Sequence, residues 1–277
     1  MARVTRFAPS PTGPLHLGHA FAALTAAARG DRFLLRIEDI DTARARSDYE
    51  TAIYDDLSWL GLHWEAPVLR QSERLNLYRQ TVDSLEKSGL TYHCTCTRGD
   101  IRAALSAPQE GAPVIGPDGP VYPGTCRHAG HRDGAIRLDM AKAMARAGDV
   151  TFTDTGRRPG LHRRNAEQMV AEIGDIVLAR RDIGTSYHIA VVTDDAAQGI
   201  TEITRGEDLF EATFIHALLI RLLGLPQPLW HHHRLIRDDS GKRLAKRDDA
   251  RALAKYREDG ATPGDIRQML GMSLPRD

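Results

Sequence analysis

The stretch RVTRFAPSPTGPLHLGHAFAALTAAARGDRFLLRI, residues 3–37, decides the fold. Its first residues, 3–8, predict a short strand, and the Ala-rich segment 20–28 favours a helix that ends at Gly30. The apolar run 32–37 is typical of a buried parallel strand. Strand, helix and strand in this order predict a right-handed βαβ unit, and hence an α/β fold built on a parallel sheet.

The same alternation continues on both sides of a less regular middle. Residues 90–135 contain all three cysteines and show little periodicity, so we interpret them as part of an insertion with its own small fold. Ser47-Asp48-Tyr49-Glu50 predicts a capping box that opens a helix. The periodicity predicts further helices at 72–88, 187–198 and 210–223, strands at 175–180, 200–205 and 228–236, and two short helices at the end of the chain.

The composition is that of a folded globular protein. The chain has 277 residues, of which 42% are hydrophobic and 27% charged, and this excludes a disordered or fibrous class. Lys and Arg total 37, as do Asp and Glu, so a nucleic acid must be bound by local patches. We find no apolar run long enough to span a membrane and no signal peptide. We therefore expect a cytoplasmic monomer without membrane contact.

A first candidate site follows the first strand, in PSPTGPLHLGHA, residues 9–20. The start of a helix after a strand is where an open α/β sheet binds phosphates or nucleotides, although this stretch is neither a GxGxxG motif nor a P-loop. His16 and His19 are three residues apart, so they share a helix face and could bind phosphate oxygens. Gly18 would let a flat base approach the backbone. The alternative is two incidental histidines at a helix start.

A second candidate is the polar loop SGKRLAKR, residues 240–247. Lys242 and Lys246 are two of only five lysines among 37 basic residues. Lysine is a flexible point charge that suits phosphates. The alternative is a solvated basic turn, balanced by aspartates on both sides.

Together the two motifs resemble the HIGH and KMSKS signatures of class I aminoacyl-tRNA synthetases. The stretches 9–20, 34–41 (LLRIEDID) and 204–209 (TRGEDL) look like the glutamyl-tRNA synthetase subgroup. The resemblance implies a Rossmann-like catalytic core that forms an aminoacyl-adenylate from ATP, aided by Mg²⁺. The catalytic residues it implies are His16, His19 and Lys246, and the ATP-binding residues are His16, Gly18, His19, Arg243 and Lys246.

The charges of glutamate, two carboxylates and one ammonium, determine which residues its pocket needs. A selective pocket needs cations at one end and an anion at the other, and arginine binds a carboxylate in bidentate fashion. By resemblance Arg6, Tyr187 and Arg205 face the carboxylates, and Glu38 faces the ammonium. Without the resemblance, these could be a surface arginine, a buried tyrosine and a strand-end glutamate. The full glutamate-binding set it implies is Arg6, Phe7, Ala8, Pro9, Ser10, Glu38, Tyr187 and Arg205.

The cysteines predict a metal site. Cys94 and Cys96 form a CxC pair, and thiolates at this spacing suit Zn²⁺, with Cys126 as a third ligand. Chemistry alone would take the fourth ligand from the nearby histidines, which are His93, His128 and His131. The resemblance instead favours Tyr122, because the family pattern is CxC followed by YxxxC. Three free thiols are the alternative.

The resemblance ends near residue 250, so we expect no anticodon-binding domain. In this the chain is similar to glutamyl-queuosine tRNA(Asp) synthetases, which attach glutamate to the queuosine base of tRNA(Asp). Candidate RNA contacts are the Arg cluster 157–164 and the basic segment 242–257, whereas His231–His233 reads as structural. The alternatives are a short glutamyl-tRNA synthetase, an inactive paralogue, which Ala245 in the lysine loop would favour, or another HxGH nucleotidyltransferase. The expected division is 1–85 and 166–235 for the core, 86–165 for a zinc-bearing, acceptor-contacting insertion, and 236–277 for the lysine loop and last helices.

Overall fold

A parallel sheet forms the first half of the protein. The computed structural model describes residues 2–106, 114–237 and 251–272. The predicted βαβ unit is confirmed, since β1 and β2 pair in parallel and α1 connects them. A third parallel strand, β3, was not predicted; its Pro67 is tolerated because β3 is an edge strand. The elements are β1 (Val4–Phe7), α1 (Leu17–Arg29), β2 (Arg32–Ile37), α2 (Ser47–Trp59) and β3 (Glu65–Arg70).

The second half adds four strands in the order β11-β12-β8-β9. β11, β12 and β8 are parallel, and β9 closes the edge antiparallel. Thr201 N, one residue before β11, donates to Val4 O at 3.0 Å. This bond places β11 beside β1 and sets the three-stranded and four-stranded sheets edge to edge in a Rossmann-like arrangement. The carboxyl ends of β1, β2, β11 and β12 therefore meet at one edge. The strands are β8 (Val150–Asp154), β9 (Gly160–Arg164), β11 (Glu202–Gly206) and β12 (Leu229–His233).

The stretch 175–180 belongs to a different sheet from the one its pattern suggested. Its strand pairs antiparallel with a strand of the cysteine-rich region, in the order β10-β7-β4. Conversely, β8 and β9 come from the expected insertion, 86–165, and complete the main sheet. Strand pairing therefore joins residues on both sides of the expected boundary at 165. The division into 1–85, 86–165, 166–235 and 236–277 stays a prediction. The strands of this region are β4 (Thr91–Cys94), β5 (Ile115–Gly116), β6 (Gly119–Pro120), β7 (Ala135–Leu138) and β10 (Val177–Ala179).

The predicted capping box at Ser47 is wrong. Helix α2 begins at Ser47 itself, and its N-cap, Arg46, makes no side-chain cap bond. The carboxylate of Glu50 accepts from Arg70 Nε at 2.7 Å, so it is engaged on β3 rather than at the helix start. The other helices are α3 (Leu75–Lys87, after a 3₁₀ turn at Gln71–Arg74), α4 (Arg98–Ser106), α5 (Met140–Ala147), α6 (Ala166–Glu172), α7 (Tyr187–Ala197), α8 (Ala212–Leu222), α9 (Leu253–Glu258) and α10 (Pro263–Met269).

Two apolar clusters hold these elements together. The larger one gathers α3, α5, α7 and α8 around Phe152 and Trp230, both completely buried. The second packs α1 and α2 against the two predicted C-terminal helices through Leu253 and Ile266. Leu253 N also donates to Leu15 O at 2.8 Å, so residues 251–272 return to the start of α1. Among the described helices, none is both long and apolar enough to cross a membrane.

Candidate active site

A cleft of about 500 Å³ opens at the carboxyl edge of the sheet. It collects residues that are far apart in the sequence, and almost all of the predicted glutamate and phosphate residues line it. Pro9 is absent from the wall but braces it, since its carbonyl accepts from Glu38 N at 2.9 Å. Arg243 and Lys246 lie outside the described residues. The predicted residues that line the cleft are Arg6, Phe7, Ala8, Ser10, His16, Gly18, His19, Glu38, Tyr187 and Arg205.

The two histidines of the HxGH stretch form the N-terminal cap of α1. His16 Nδ1 accepts from Gly18 N at 3.1 Å, and His19 Nδ1 accepts from His16 N at 3.1 Å. Their rings lie 3.8 Å apart, so both reach the same face. A Cβ on Gly18 would come within 2.9 Å of the His16 ring, which this cap bond holds in place. Glycine is therefore required here by the cap itself, in addition to any approach of a ligand.

The charge of Arg6 is already paired within the protein. Its guanidinium binds both carboxylate oxygens of Asp195, at 2.9 and 3.2 Å. Arg36, completely buried, donates to the same carboxylate at 2.8 Å. Asp195 thus sits between two arginines, one on β1 and one on β2. Burial raises the pKa of Asp195, but the two arginines outweigh it and hold that pKa below its ordinary value.

Glu38 follows β2 and lies next to this network. Arg36 Nη2 is 3.6 Å from Glu38 Oε1. Burial raises the pKa of Glu38 to about 6, against the lowering effect of Arg36 and Arg6. The carboxyl, 11% exposed, is therefore a partly buried anion at neutral pH, held close to its titration range. Such a group can accept a cationic ligand at the cost of little further dehydration.

Arg205 has a different environment. Its three nitrogens donate to neutral acceptors, which are His232 Nε2 at 3.4 Å, His216 Nδ1 at 2.9 Å and Thr213 Oγ1 at 2.6 Å. In the segments that the structure describes, Arg205 forms no ion pair, although it is only 6% exposed. Burial lowers its pKa, and the nearby Arg6 adds to this effect. A buried cation without a counter-charge favours a carboxylate ligand in the cleft.

Both imidazoles beside Arg205 are neutral. Burial, followed by the charge of Arg205, lowers the pKa of His216 well below its ordinary value. The same two causes lower the pKa of His232 to about 4, although its Nδ1 contacts Asp154 at 3.0 Å. Neutral rings can accept from the guanidinium without cancelling its charge.

Several residues of this site were missed or misread from the sequence. Asp195 stands in an apolar helix, and a charged residue among buried apolar ones was the available signal. His231–His233 was interpreted as structural, yet His232 supports Arg205 and His233 lines the cleft. The alternation argument survives, since neighbouring histidines have different partners. Further lining residues without a sequence prediction for this site are Ala22, Thr204, Gly206, Asp208, Leu209, Arg234, Leu235 and Ile236.

The arginine cluster 157–164 is largely paired on the surface. Arg158 and Arg164 contact Glu211 at 3.4 and 2.6 Å, and their guanidinium groups lie over Phe210 and Phe214. Arg163, with 70% of its side chain exposed, pairs with Asp149. RNA contact by this cluster stays a prediction.

The three cysteines converge as expected. Their sulfur atoms all lie within 4.8 Å of one another, and no disulfide joins them. The Tyr122 hydroxyl lies 3.4 Å from the sulfurs of both Cys94 and Cys96. Ligands about 2.3 Å from a tetrahedral zinc would be about 3.8 Å apart, so the spacing fits such an ion. This cluster could hold a metal ion.

The histidines near the cluster have other contacts. His131 Nε2 lies 3.2 Å from Thr95 Oγ1, and His93 Nε2 lies 3.5 Å from Glu86. Burial raises the pKa of Cys126, but hydrogen bonds from Tyr122 and Cys96 outweigh it and bring that pKa to about 6. Burial also raises the pKa of Cys96, to about 11.

Comparison with known proteins agrees with the fold and the cleft. The family of class I tRNA synthetases for E and Q, catalytic domain, matches residues 3–273. A glutamate tRNA ligase from Elizabethkingia meningosepticum, solved with its amino acid, superposes with a TM-score of 0.76 at 28% identity. The match covers 97% of this chain and 60% of that structure. The parallel sheet, the HxGH cap and the cleft define the catalytic domain of a class I aminoacyl-tRNA synthetase.

Two curated relatives narrow the class. A glutamyl-Q tRNA(Asp) synthetase from Rhodobacter capsulatus is 60% identical, over 97% of this chain and 100% of its own length. One from Nocardia farcinica is 41% identical, over 97% of this chain and 84% of its own length. The chain belongs to the glutamyl-Q tRNA(Asp) synthetase family.

Proposed function

We propose that the protein activates L-glutamate with ATP and transfers it to the queuosine base in the anticodon loop of tRNA(Asp). The single observation that carries the choice of amino acid is that Arg205, which forms no ion pair with any described residue, lies in the same cleft as Glu38. A buried cation and a partly buried anion in one cleft suit a zwitterion with an additional carboxylate. The choice of RNA is supported by the likeness to relatives named glutamyl-Q tRNA(Asp) synthetase.

In the first step the α-carboxylate of glutamate attacks the α-phosphate of ATP. An O–P bond forms, the bond to pyrophosphate breaks, and glutamyl-adenylate results. His16 and His19 lie at the positive end of α1, where they can bind the α-phosphate region as charge builds on it. Lys246 would neutralise the departing pyrophosphate together with the Mg²⁺ that accompanies ATP.

In the second step a hydroxyl of the queuosine ring attacks the acyl carbon. The ester forms, AMP leaves, and the hydroxyl proton is lost to solvent or phosphate. The cis hydroxyls of that ring can imitate the ribose hydroxyls of a tRNA 3′ end. The cleft needs positioning more than strong acid–base groups for this transfer.

We also propose that the cysteine cluster holds Zn²⁺ through Cys94, Cys96, Cys126 and Tyr122. The support is the donor set, with three soft sulfurs and one phenol oxygen that converge. When bound, zinc would supply structural cross-linking of the cysteine-rich region rather than chemistry in the cleft. It would tie the end of β4, which carries Cys94, to the loop after β6, which carries Tyr122 and Cys126.

Exchange of pyrophosphate into ATP tests the activation step. Exchange should depend on glutamate and occur without RNA. Glutamine should be a poor substrate, because it lacks the side-chain carboxylate that would pair with Arg205. Lys246→Ala should lower the exchange rate by roughly 10²- to 10³-fold, the scale of a lost transition-state contact. The absence of exchange with any amino acid would favour an inactive paralogue.

Transfer to RNA is tested with tRNA(Asp) prepared with and without queuosine. Labelled glutamate should be attached only to the modified tRNA. Enzymatic removal of its 3′-terminal adenosine should leave acceptance intact, whereas periodate is uninformative because it also destroys the queuosine diol. Charging of tRNA(Glu), or acceptance that is lost with the adenosine, would replace this proposal by a short glutamyl-tRNA synthetase.

A further inference from the structure

Three side chains in hydrogen-bond contact connect the protein surface to the guanidinium of Arg205. We call Asp118, His188 and His216 the support triad. Asp118 Oδ2 lies 2.7 Å from His188 Nε2, and His188 Nδ1 lies 3.0 Å from His216 Nε2. His216 Nδ1 lies 2.9 Å from Arg205 Nη1. Four side chains from separate parts of the chain thus form one continuous series of hydrogen bonds.

The direction of every bond in this series follows from chemistry. A guanidinium can only donate, so His216 Nδ1 must be the acceptor. A neutral His216 then carries its proton on Nε2 and donates it to His188 Nδ1. His188 in turn carries its proton on Nε2 and donates it to the carboxylate of Asp118. Each ring has one tautomer that satisfies both of its neighbours, and the negative end of the series is Asp118.

The carboxylate of Asp118 polarises the hydrogen bonds of this series, although it does not itself contact Arg205. His188 and His216 are 6% and 1% exposed, whereas the Asp118 side chain is 49% exposed. Hydrogen bonds in series polarise one another in the same direction. His216 Nδ1 therefore becomes a stronger acceptor, while the positive charge of Arg205 stays available to a ligand.

Asp118 is held by a tightly seated hairpin. It lies in the turn between β5 and β6, and Val121 N donates to Val114 O at 2.9 Å just outside this pair. A Cβ on Gly116 would come within 2.7 Å of Glu172 O at the end of α6, so the hairpin backbone rests directly on that helix. The turn is thus fixed by contacts independent of His188.

We propose that the support triad positions Arg205 for a carboxylate of glutamate, so that the hairpin of the cysteine-rich region controls glutamate affinity. This inference rests on the proposed function, in which Arg205 contacts glutamate. The three residues are positioning residues, since none of them lines the cleft. A carboxylate placed directly on Arg205, as Asp195 is on Arg6, would instead compete with the substrate.

The activity test separates glutamate binding from the other steps. Asp118→Ala should raise the KM for glutamate in pyrophosphate exchange about 10-fold, the scale of losing an outer partner of a liganding group. The KM for ATP should stay within about twofold, and kcat should change less than the KM for glutamate. Asp118→Asn keeps an acceptor oxygen but loses the negative charge, so its KM for glutamate should lie between those of the wild type and Asp118→Ala. The matched control is Glu65→Ala, which removes a similarly exposed carboxylate (43%) paired with Arg32.

Nitrogen-15 NMR of the imidazoles provides a readout independent of activity. In the wild type, both His188 and His216 should be protonated on Nε2 and unprotonated on Nδ1. Asp118→Ala should shift the His188 signals toward a mixture of tautomers, and Glu65→Ala should not. If the wild-type protein shows no glutamate-dependent exchange, the proposed function is wrong. The NMR comparison would still test the hydrogen bonds of the support triad in that case. An unchanged glutamate KM in an active Asp118→Ala variant, or unchanged tautomers in either case, would overturn this inference.

Discussion

Arg6 and Arg205 are both buried at the carboxyl edge of the sheet, but their partners give them different roles. Arg6 is bound by the carboxylate of Asp195, so its charge is largely balanced before any ligand arrives. Among the residues that the structure describes, the side chains that accept from the Arg205 guanidinium are all neutral. Burial without a counter-charge is costly for the free protein, and a substrate carboxylate relieves that cost. We therefore propose Arg205, rather than Arg6, as the stronger determinant of glutamate selectivity.

Glutamate binding should weaken in mild acid because of Glu38. Its pKa is raised to about 6, so it loses its negative charge as the pH falls through that value. The ammonium of glutamate then lacks its partner, and the KM for glutamate should rise below about pH 6, since the charged form is the one that binds. Initial rates of pyrophosphate exchange between pH 5 and 8 measure this. Glu38→Gln should show a high KM with no such acidic limb; an identical limb in that variant would assign the titration to another group.

Residues of the cleft could be predicted from the sequence where they belong to a motif. His16, Gly18, His19 and Glu38 were predicted together, and the cleft contains all four. Asp195, His216 and His232 were not, because their roles depend on contacts across 11 to 189 positions of the chain. Local periodicity carries no information about such partners. A buried polar residue in an apolar helix is the one local hint, and it does not name the partner.

Among the elements, α7 connects the two halves of the sheet. Tyr187 at its start lines the cleft, and Asp194 and Asp195 near its end are almost completely buried. Asp194 accepts from Gln71, Arg74 and Tyr78 around α3, at 2.7 to 2.9 Å. Asp195 binds β1 and β2 through their arginines. The helix thus positions one wall of the cleft relative to the strands that form the other.

Removing one charge from this helix should destabilise the whole protein. Asp195→Asn leaves Arg6 as a buried cation with a neutral partner and Arg36 with the more distant carboxylate of Glu38. Breaking a buried pair in this way costs about 3–5 kcal/mol. Urea unfolding monitored by circular dichroism should show the midpoint falling without a change in slope. Glu65→Gln, which breaks the exposed pair with Arg32, should leave the midpoint within experimental error. Equal midpoints for the two variants would mean that water or a shifted side chain replaces the lost contact.

Elements were predicted well where their hydrogen bonds are local, as in a helix, and poorly where pairing is distant. The pattern of 187–198 predicted a helix, and α7 spans Tyr187–Ala197. The stretch 175–180 was also correctly predicted to contain a strand, but its sheet was not. Strand patterns report the buried face, whereas the partner strand is set by the path of the chain. The cysteine-rich region has short strands, and this explains its weak signal.

On the scale of the whole molecule, the cysteine-rich region is coupled to the cleft by its own chain. Asp118 of the support triad stands four positions before Tyr122, whose hydroxyl contacts two of the three cysteine sulfurs. The hairpin that carries Asp118 rests on α6. A metal ion in the cysteine cluster would therefore stabilise the segment that carries Asp118. We propose that the region takes part in glutamate binding in this way, in addition to any contact with RNA.

Metal removal should accordingly weaken glutamate binding without abolishing activity. Elemental analysis should find about one zinc per chain, as a single tetrahedral site requires. A chelator, or Cys126→Ser, should release it and raise the KM for glutamate toward that of Asp118→Ala, because Tyr122 no longer anchors the hairpin. Added zinc should restore the wild type but not the Cys126→Ser variant. Tyr122→Phe tests the fourth ligand, since unchanged zinc affinity would assign that position to a histidine or water. Metal-free protein with an unchanged KM for glutamate and unchanged stability would separate the cysteine cluster from the cleft.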